Sequence, residues 1–162
     1  MTQTDETTRL LNTLVRTPAL ISELLSDIPL NTIQLRPSPE EFSVLESICH
    51  LRDIEVEGYT VRIRRLLEED HPELADIDGA RLAAERDYNS QQLDLALEAF
   101  ESARKVNLEV LRKADDNDLN KRGSLEGVGE LSLQSLMTMM AEHDEGHIDD
   151  LRHARRLLRL EQ

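Results

Sequence analysis

The sequence predicts an all-α fold, a four-helix bundle with one long loop before the last helix, on three observations. Apolar residues recur at three- and four-residue spacing through four long blocks. The chain is rich in Leu, Glu and Arg, residues that favour helices. Two Phe, two Tyr, no Trp and six Gly leave a large β-sandwich short of the aromatics and turn residues it needs. The 162 residues fit a single domain, 1–162, long enough to bury roughly 70% of its unfolded surface.

The first helix is expected from about Asp5 to Ser26, its buried stripe being Leu10, Leu14, Ile21 and Leu24 and continuing to Ile28. Pro18 lies inside it and is expected to kink it, having no N–H for the preceding turn. Pro29 to Pro39, with three prolines, reads as an extended crossing. A second helix is expected from Pro39-Glu40-Glu41 to about Asp70, where His71-Pro72 stops it, with Ser43, Ser47, His50, Ile54 and Val61 on one face. Asp70 to Gly79 reads as an acidic loop. The third helix is expected over Ser90–Ala114, after an extra turn at Ala80–Arg86. Its stripe is Leu93, Ala96, Phe100, Ala103, Asn107, Val110 and Ala114. Three glycines and many polar residues make Asp115–Glu130 a long loop, with room for a hairpin between Gly123 and Gly129. The fourth helix runs from a Ser132 cap to about Leu160, with Arg152, Arg155, Arg156 and Arg159 at the negative end of its dipole.

Charge narrows the function. Nineteen basic against 33 acidic residues give −14, which disfavours binding to nucleic acid phosphates. No run of apolar residues is long enough to span a membrane, and the N-terminus lacks the basic start and apolar core of a signal peptide. The single cysteine, Cys49, excludes an internal disulfide and reads as a small core residue. A cytoplasmic protein is expected.

The fourth helix carries the most informative pattern: Leu133, Leu136, Met140, His143, His147, Leu151, Ala154 and Leu158 share its inward row. Two imidazoles four residues apart project from one side and can reach one metal ion. His50, on the inward face of the second helix, is the natural third ligand. Such a set is open on one side and compatible with Zn²⁺ or Ni²⁺. The competing reading is three buried histidines paired with carboxylates. His71, beside a loop proline, and His153, in an arginine-rich helix end, read as surface residues. His143-Asp144-Glu145-Gly146-His147 departs from the zincin motif HExxH, because Asp144 stands where the Glu base is needed. Protease activity is not expected.

At these residues the chain resembles the DinB/YfiT-like superfamily of bacterial four-helix metal-binding proteins. Leu35-Arg36-Pro37, Glu41-Phe42-Ser43 and His50-Leu51-Arg52-Asp53-Ile54-Glu55 are similar to the family's opening. Arg62–Pro72 and Ala84–Tyr88 are similar to the connecting segments of one subgroup. Gly129–Leu133 with Ala141–His147 resembles its ending. The resemblance implies a metal site on His50, His143 and His147, a homodimer, and in some members a low-molecular-weight thiol as co-substrate. Phe42 stands where the family usually has Trp, and Asp150 where it often has Gln.

Two functions remain open. One is a metal-dependent enzyme of thiol-transferase or hydrolase type, acting on a small-molecule substrate through a metal-activated thiol or water. Asp53 and Asp150, each three residues after a histidine, are its candidate bases, and Asn107 could face its pocket, although a hydrogen-bonded buried amide is the simpler reading. The other is a non-catalytic, stress-related metal-binding or dimeric scaffold protein whose histidines hold the bundle together.

Overall fold

The structure, a computed structural model, describes residues 2–160, apart from the side chains of Gln3, Arg159 and Leu160. Helix α1 spans Gln3–Ser26, opened by a capping box in which Thr2 and Asp5 exchange side-chain and backbone bonds. It runs through Pro18 without a break. A single 3₁₀ turn at Leu30–Thr32 interrupts the proline-rich crossing.

The second helix starts later than expected, at Val44. Ser43 rather than Pro39 is its cap: the Ser43 hydroxyl accepts from the Glu46 amide, and the Glu46 carboxylate accepts from the Ser43 amide. Helix α2 spans Val44–Asp53 and α3 spans Thr60–Glu68. A π-turn, Ile54–Tyr59, joins them, closed by the Thr60 amide on the Glu55 carbonyl. Its extra residue rotates everything that follows. Val61, expected inside, is therefore 36% exposed, and Arg62, Ile63 and Leu66 turn inward instead.

Helix α4 (Gly79–Glu85) is the expected extra turn, capped by Asp78. Helix α5 spans Leu93–Leu111. Its stripe agrees with expectation at Leu93, Ala96, Phe100 and Asn107, but Arg104 replaces Ala103, which is half-buried, and Leu108 and Leu111 replace Val110, which is exposed. The long loop holds a one-turn helix, α6 (Asp116–Leu119), and the expected hairpin, formed by β2 (Arg122–Leu125) and β3 (Gly129–Ser132). Gly127, with φ +77°, makes the hairpin's turn. The two-residue strand β1 (Glu73–Leu74), unforeseen in the sequence, adds to β2 in parallel.

Helix α7 spans Leu133–Leu160 and starts where the Ser132 hydroxyl accepts from the Ser135 amide. Two of its terminal arginines pair with carboxylates, Arg152 with Asp149 and Arg155 with Asp27, while Arg159 lies outside the described side chains.

The main packing runs α1 on α7, α7 on α2, α2 on α5 and α5 on α1. Helices consecutive in sequence, α1 and α2, are thus diagonal in the bundle, and the long segment after Ser26 makes that crossing. Two core clusters fill the interior. One lies around Ile21, Ile48, Tyr88, Phe100 and Leu151; the other around Leu14, Ile63, Leu111, Leu133 and Met140. The histidines stand between them.

Candidate metal centre

His50 comes from α2, and His143 and His147 come from consecutive turns of the neighbouring α7. Ring nitrogens of all three lie within 4.8 Å of one another. Ring centroids are 5.2 Å apart for His50–His143, 4.8 Å for His50–His147 and 4.7 Å for His143–His147. The Nε2 atoms of His50 and His143 are 3.1 Å apart, close enough for one neutral ring to donate to the other.

Burial keeps the rings uncharged. It pushes His50 down to about 4, helped by His147, and His143 down to about 3, helped by both neighbouring imidazoles. His147 is lowered by burial as well, against the pull of Asp144. Neutral imidazole is the form that ligates metal.

The donor set fits a divalent ion. Nε2 of His50 and Nε2 of His143 face each other as converging donors, while Nδ1 of His50, against Gly79, and Nδ1 of His147, on the side of Asp150, are buried without a hydrogen-bond partner. Three neutral nitrogen donors from two helices suit Zn²⁺ or Ni²⁺ and leave coordination positions open.

The rings are held from behind. Gly79 lies so close to His50 that a Cβ there would fall 2.4 Å from Cε1. Phe42 packs against His50 with the rings tilted and their centroids 5.5 Å apart, and Tyr59 meets His143 edge-on at 6.0 Å. Beside the site, a cleft of about 280 Å³ is lined by Glu41, Phe42, Val44, Ala80, Asp150 and Leu151, among others. The imidazoles do not line it; Phe42 and Asp150 stand between it and two of them.

The expected bases differ in placement. Asp150 lies on the rim, its Oδ2 3.6 Å from His147 Nδ1, which is too far for a hydrogen bond. Burial and the nearby Glu41 raise its pKa. Asp53 is buried and faces away, accepting from Arg52 at 2.7 Å, Arg86 at 2.8 Å and the Tyr88 hydroxyl at 2.6 Å. It ties α4 and the Tyr88 turn to α2. Cys49 is a core residue whose thiol burial pushes up to about 11. Asn107 does not face a pocket; it donates to Glu55 Oε1 at 2.8 Å. His71 is exposed and paired with Glu130, and His153 is exposed, as expected.

A group that sequence reasoning missed lies below the rings. Arg104, 1% exposed, donates through all five of its N–H groups. Nε and Nη2 reach the two oxygens of Glu55 at 2.9 Å each, and Nη1 and Nη2 reach those of Asp144 at 2.7 and 3.0 Å. The last bond, from Nη1, goes to the Leu14 carbonyl at 3.2 Å. The signal was present: Arg104 follows Phe100 by four residues and precedes Asn107 by three, on the buried stripe.

A model of the DinB superfamily matches residues 13–151. The chain belongs to the DinB superfamily. Among solved structures, YfiT from Bacillus subtilis matches with a TM-score of 0.88, covering 98% of this chain and 90% of its own, at 14% identity. It is described as a probable metal-dependent hydrolase with an unusual four-helix bundle topology. At that identity the likeness is one of fold, here that of a DinB protein. No curated protein matches the chain.

Proposed function

We propose that this DinB protein is a metal-dependent hydrolase of small molecules, with His50, His143 and His147 as the ligands of a divalent ion, Zn²⁺ or Ni²⁺. The observation that carries this reading is three buried imidazoles, held neutral, whose ring nitrogens converge within 4.8 Å. A divalent ion held by His50, His143 and His147 would supply Lewis acidity to water or to a substrate carbonyl beside it.

The protein's own residues supply the rest. Phe42, Val44 and Leu151 give the neighbouring cleft an apolar wall for a substrate's body, and Asp150, on its rim beside His147, is the available proton acceptor. Asp53 is unavailable, because its three partners hold it in the scaffold. The rim carries Glu40, Glu41 and Asp150. That charge favours water as the nucleophile over thiols that bear carboxylates, such as glutathione or bacillithiol, so the thiol-transferase reading ranks second. The scaffold reading ranks below both, since the Arg104 cluster already ties the helices together without an ion. A homodimer remains part of the proposal on family resemblance, and a cytoplasmic location on the sequence alone.

The test is a panel of small esters, amides and thiol-reactive electrophiles, assayed with and without chelator and with and without added thiols. Chelator-sensitive hydrolysis without thiol is the expected result. Turnover that requires a thiol would establish the transferase reading, and turnover untouched by metal removal would overturn both.

A further inference from the structure

We propose that Arg104 is the positioning residue of the metal centre, fixing through one guanidinium the rotation of both ligand-bearing helices. The inference rests on the metal reading above. Each carboxylate that Arg104 binds belongs to a ligand helix or its direct continuation. Asp144 follows His143 in α7, so its side chain leaves the helix about 100° from that imidazole. Glu55 lies five residues beyond His50, in the π-turn that continues α2. Both carboxylates are bound through two oxygens, a fork geometry that fixes direction as well as distance. With Asp144 held toward α5, His143 and His147 face α2. With Glu55 held toward the same guanidinium, His50 faces α7.

Ordinary ion pairing does not account for this arrangement. The main helix contacts follow the sides of the bundle, whereas the Arg104–Asp144 pair crosses from α5 to α7 on the diagonal. Arg104 also reaches α1, at the Leu14 carbonyl, so one side chain touches all four helices. It stacks on Phe100 at 5.0 Å, and Asn107 secures Glu55 from the same face of α5.

The experiment measures Zn²⁺ affinity by chelator competition and the visible spectrum of the Co²⁺-substituted protein. It compares the natural sequence with Arg104→Lys, Asp144→Asn and Asn107→Ala, and with Tyr88→Phe as a destabilised control. Positioning predicts that Zn²⁺ affinity falls about 10- to 100-fold in Arg104→Lys and Asp144→Asn. The Co²⁺ bands should shift in both, while Tyr88→Phe, even if less stable, keeps affinity and spectrum. Lysine retains the charge but not the fork, so its failure to rescue separates geometry from charge. Should Arg104→Lys not fold, Asp144→Asn decides, and Asn107→Ala, which removes only an uncharged donor to Glu55, must show a smaller loss in the same direction. Lowered melting temperatures with unchanged affinity and spectrum would overturn the inference, leaving Arg104 a core ion pair. If the natural protein binds no metal, the metal reading itself fails and this inference falls with it.

Discussion

Gly79 is the surface on which the ring of His50 rests: a methyl group there would lie 2.4 Å from Cε1 and 2.6 Å from Nδ1. The position opens α4, where alanine would otherwise be the better helix former by about 1 kcal/mol. Gly79→Ala therefore separates helix propensity from site geometry. Zn²⁺ affinity should fall by about tenfold or more as the ring is displaced, with no matching loss of far-UV helix signal. Unchanged affinity, measured by chelator competition, would show that the ring has room to turn.

The acid limb of stability should carry the signature of imidazoles buried uncharged. His50 titrates near 4 and His143 near 3 in the folded protein, against about 6.5 in an unfolded chain. Between those values the unfolded state binds more protons, so the metal-free protein is most stable above about pH 6.5 and loses stability as pH falls toward 4 and then 3. Replacing His143 with Gln should flatten that slope. Denaturant titrations from pH 7.5 to 4 measure it, and a slope identical in the variant would contradict the burial of His143 as a neutral ring.

Asp53 should act as a structural clasp. Asp53→Ala removes the acceptor of Arg52, Arg86 and Tyr88 and is expected to cost about 2–3 kcal/mol, below the cost for a fully buried pair because Arg86 is partly exposed. Tyr88→Phe, which removes one hydroxyl donor, should cost about 1–2 kcal/mol. Both variants should bind metal with the affinity of the natural protein. A large fall in turnover of metal-loaded Asp53→Ala at full metal occupancy would return Asp53 to the chemistry.

Cys49 should be silent in the folded state. It is fully buried, and burial raises its thiol to about 11, so little thiolate forms at neutral pH. Alkylation followed by mass spectrometry should label it only under denaturing conditions. Rapid labelling of the native protein would contradict its place in the core.

Why some of this was legible in the sequence follows from the physics of each feature. His143 and His147 share the helical period with Leu136, Met140 and Leu151, so their inward direction could be read directly. His50 was legible for the same reason, because it precedes the π-turn. Val61 follows that turn, and Ile54–Tyr59 carries no pattern that announces an extra residue per turn, so its predicted face was wrong. The sequence pattern favours Ala103 over Arg104 on the buried face because an arginine in a charged helix is exposed by default. Only its partners, distant in sequence, make its burial favourable. For Pro18 the sequence shows only what is lost. Its missing N–H leaves the Leu14 carbonyl free, and that carbonyl is the acceptor of Arg104 Nη1. Strand β1 has two residues and depends wholly on its neighbour β2, so no local signal could have marked it.

X-ray absorption on the Zn²⁺- or Ni²⁺-loaded protein tests the central claim most directly. One ion per chain, with three imidazole scatterers, the remainder light oxygen and no sulfur, is the predicted result, and one imidazole fewer after His50→Ala. Failure to retain an ion, or a first coordination sphere unchanged by His50→Ala, would contradict it.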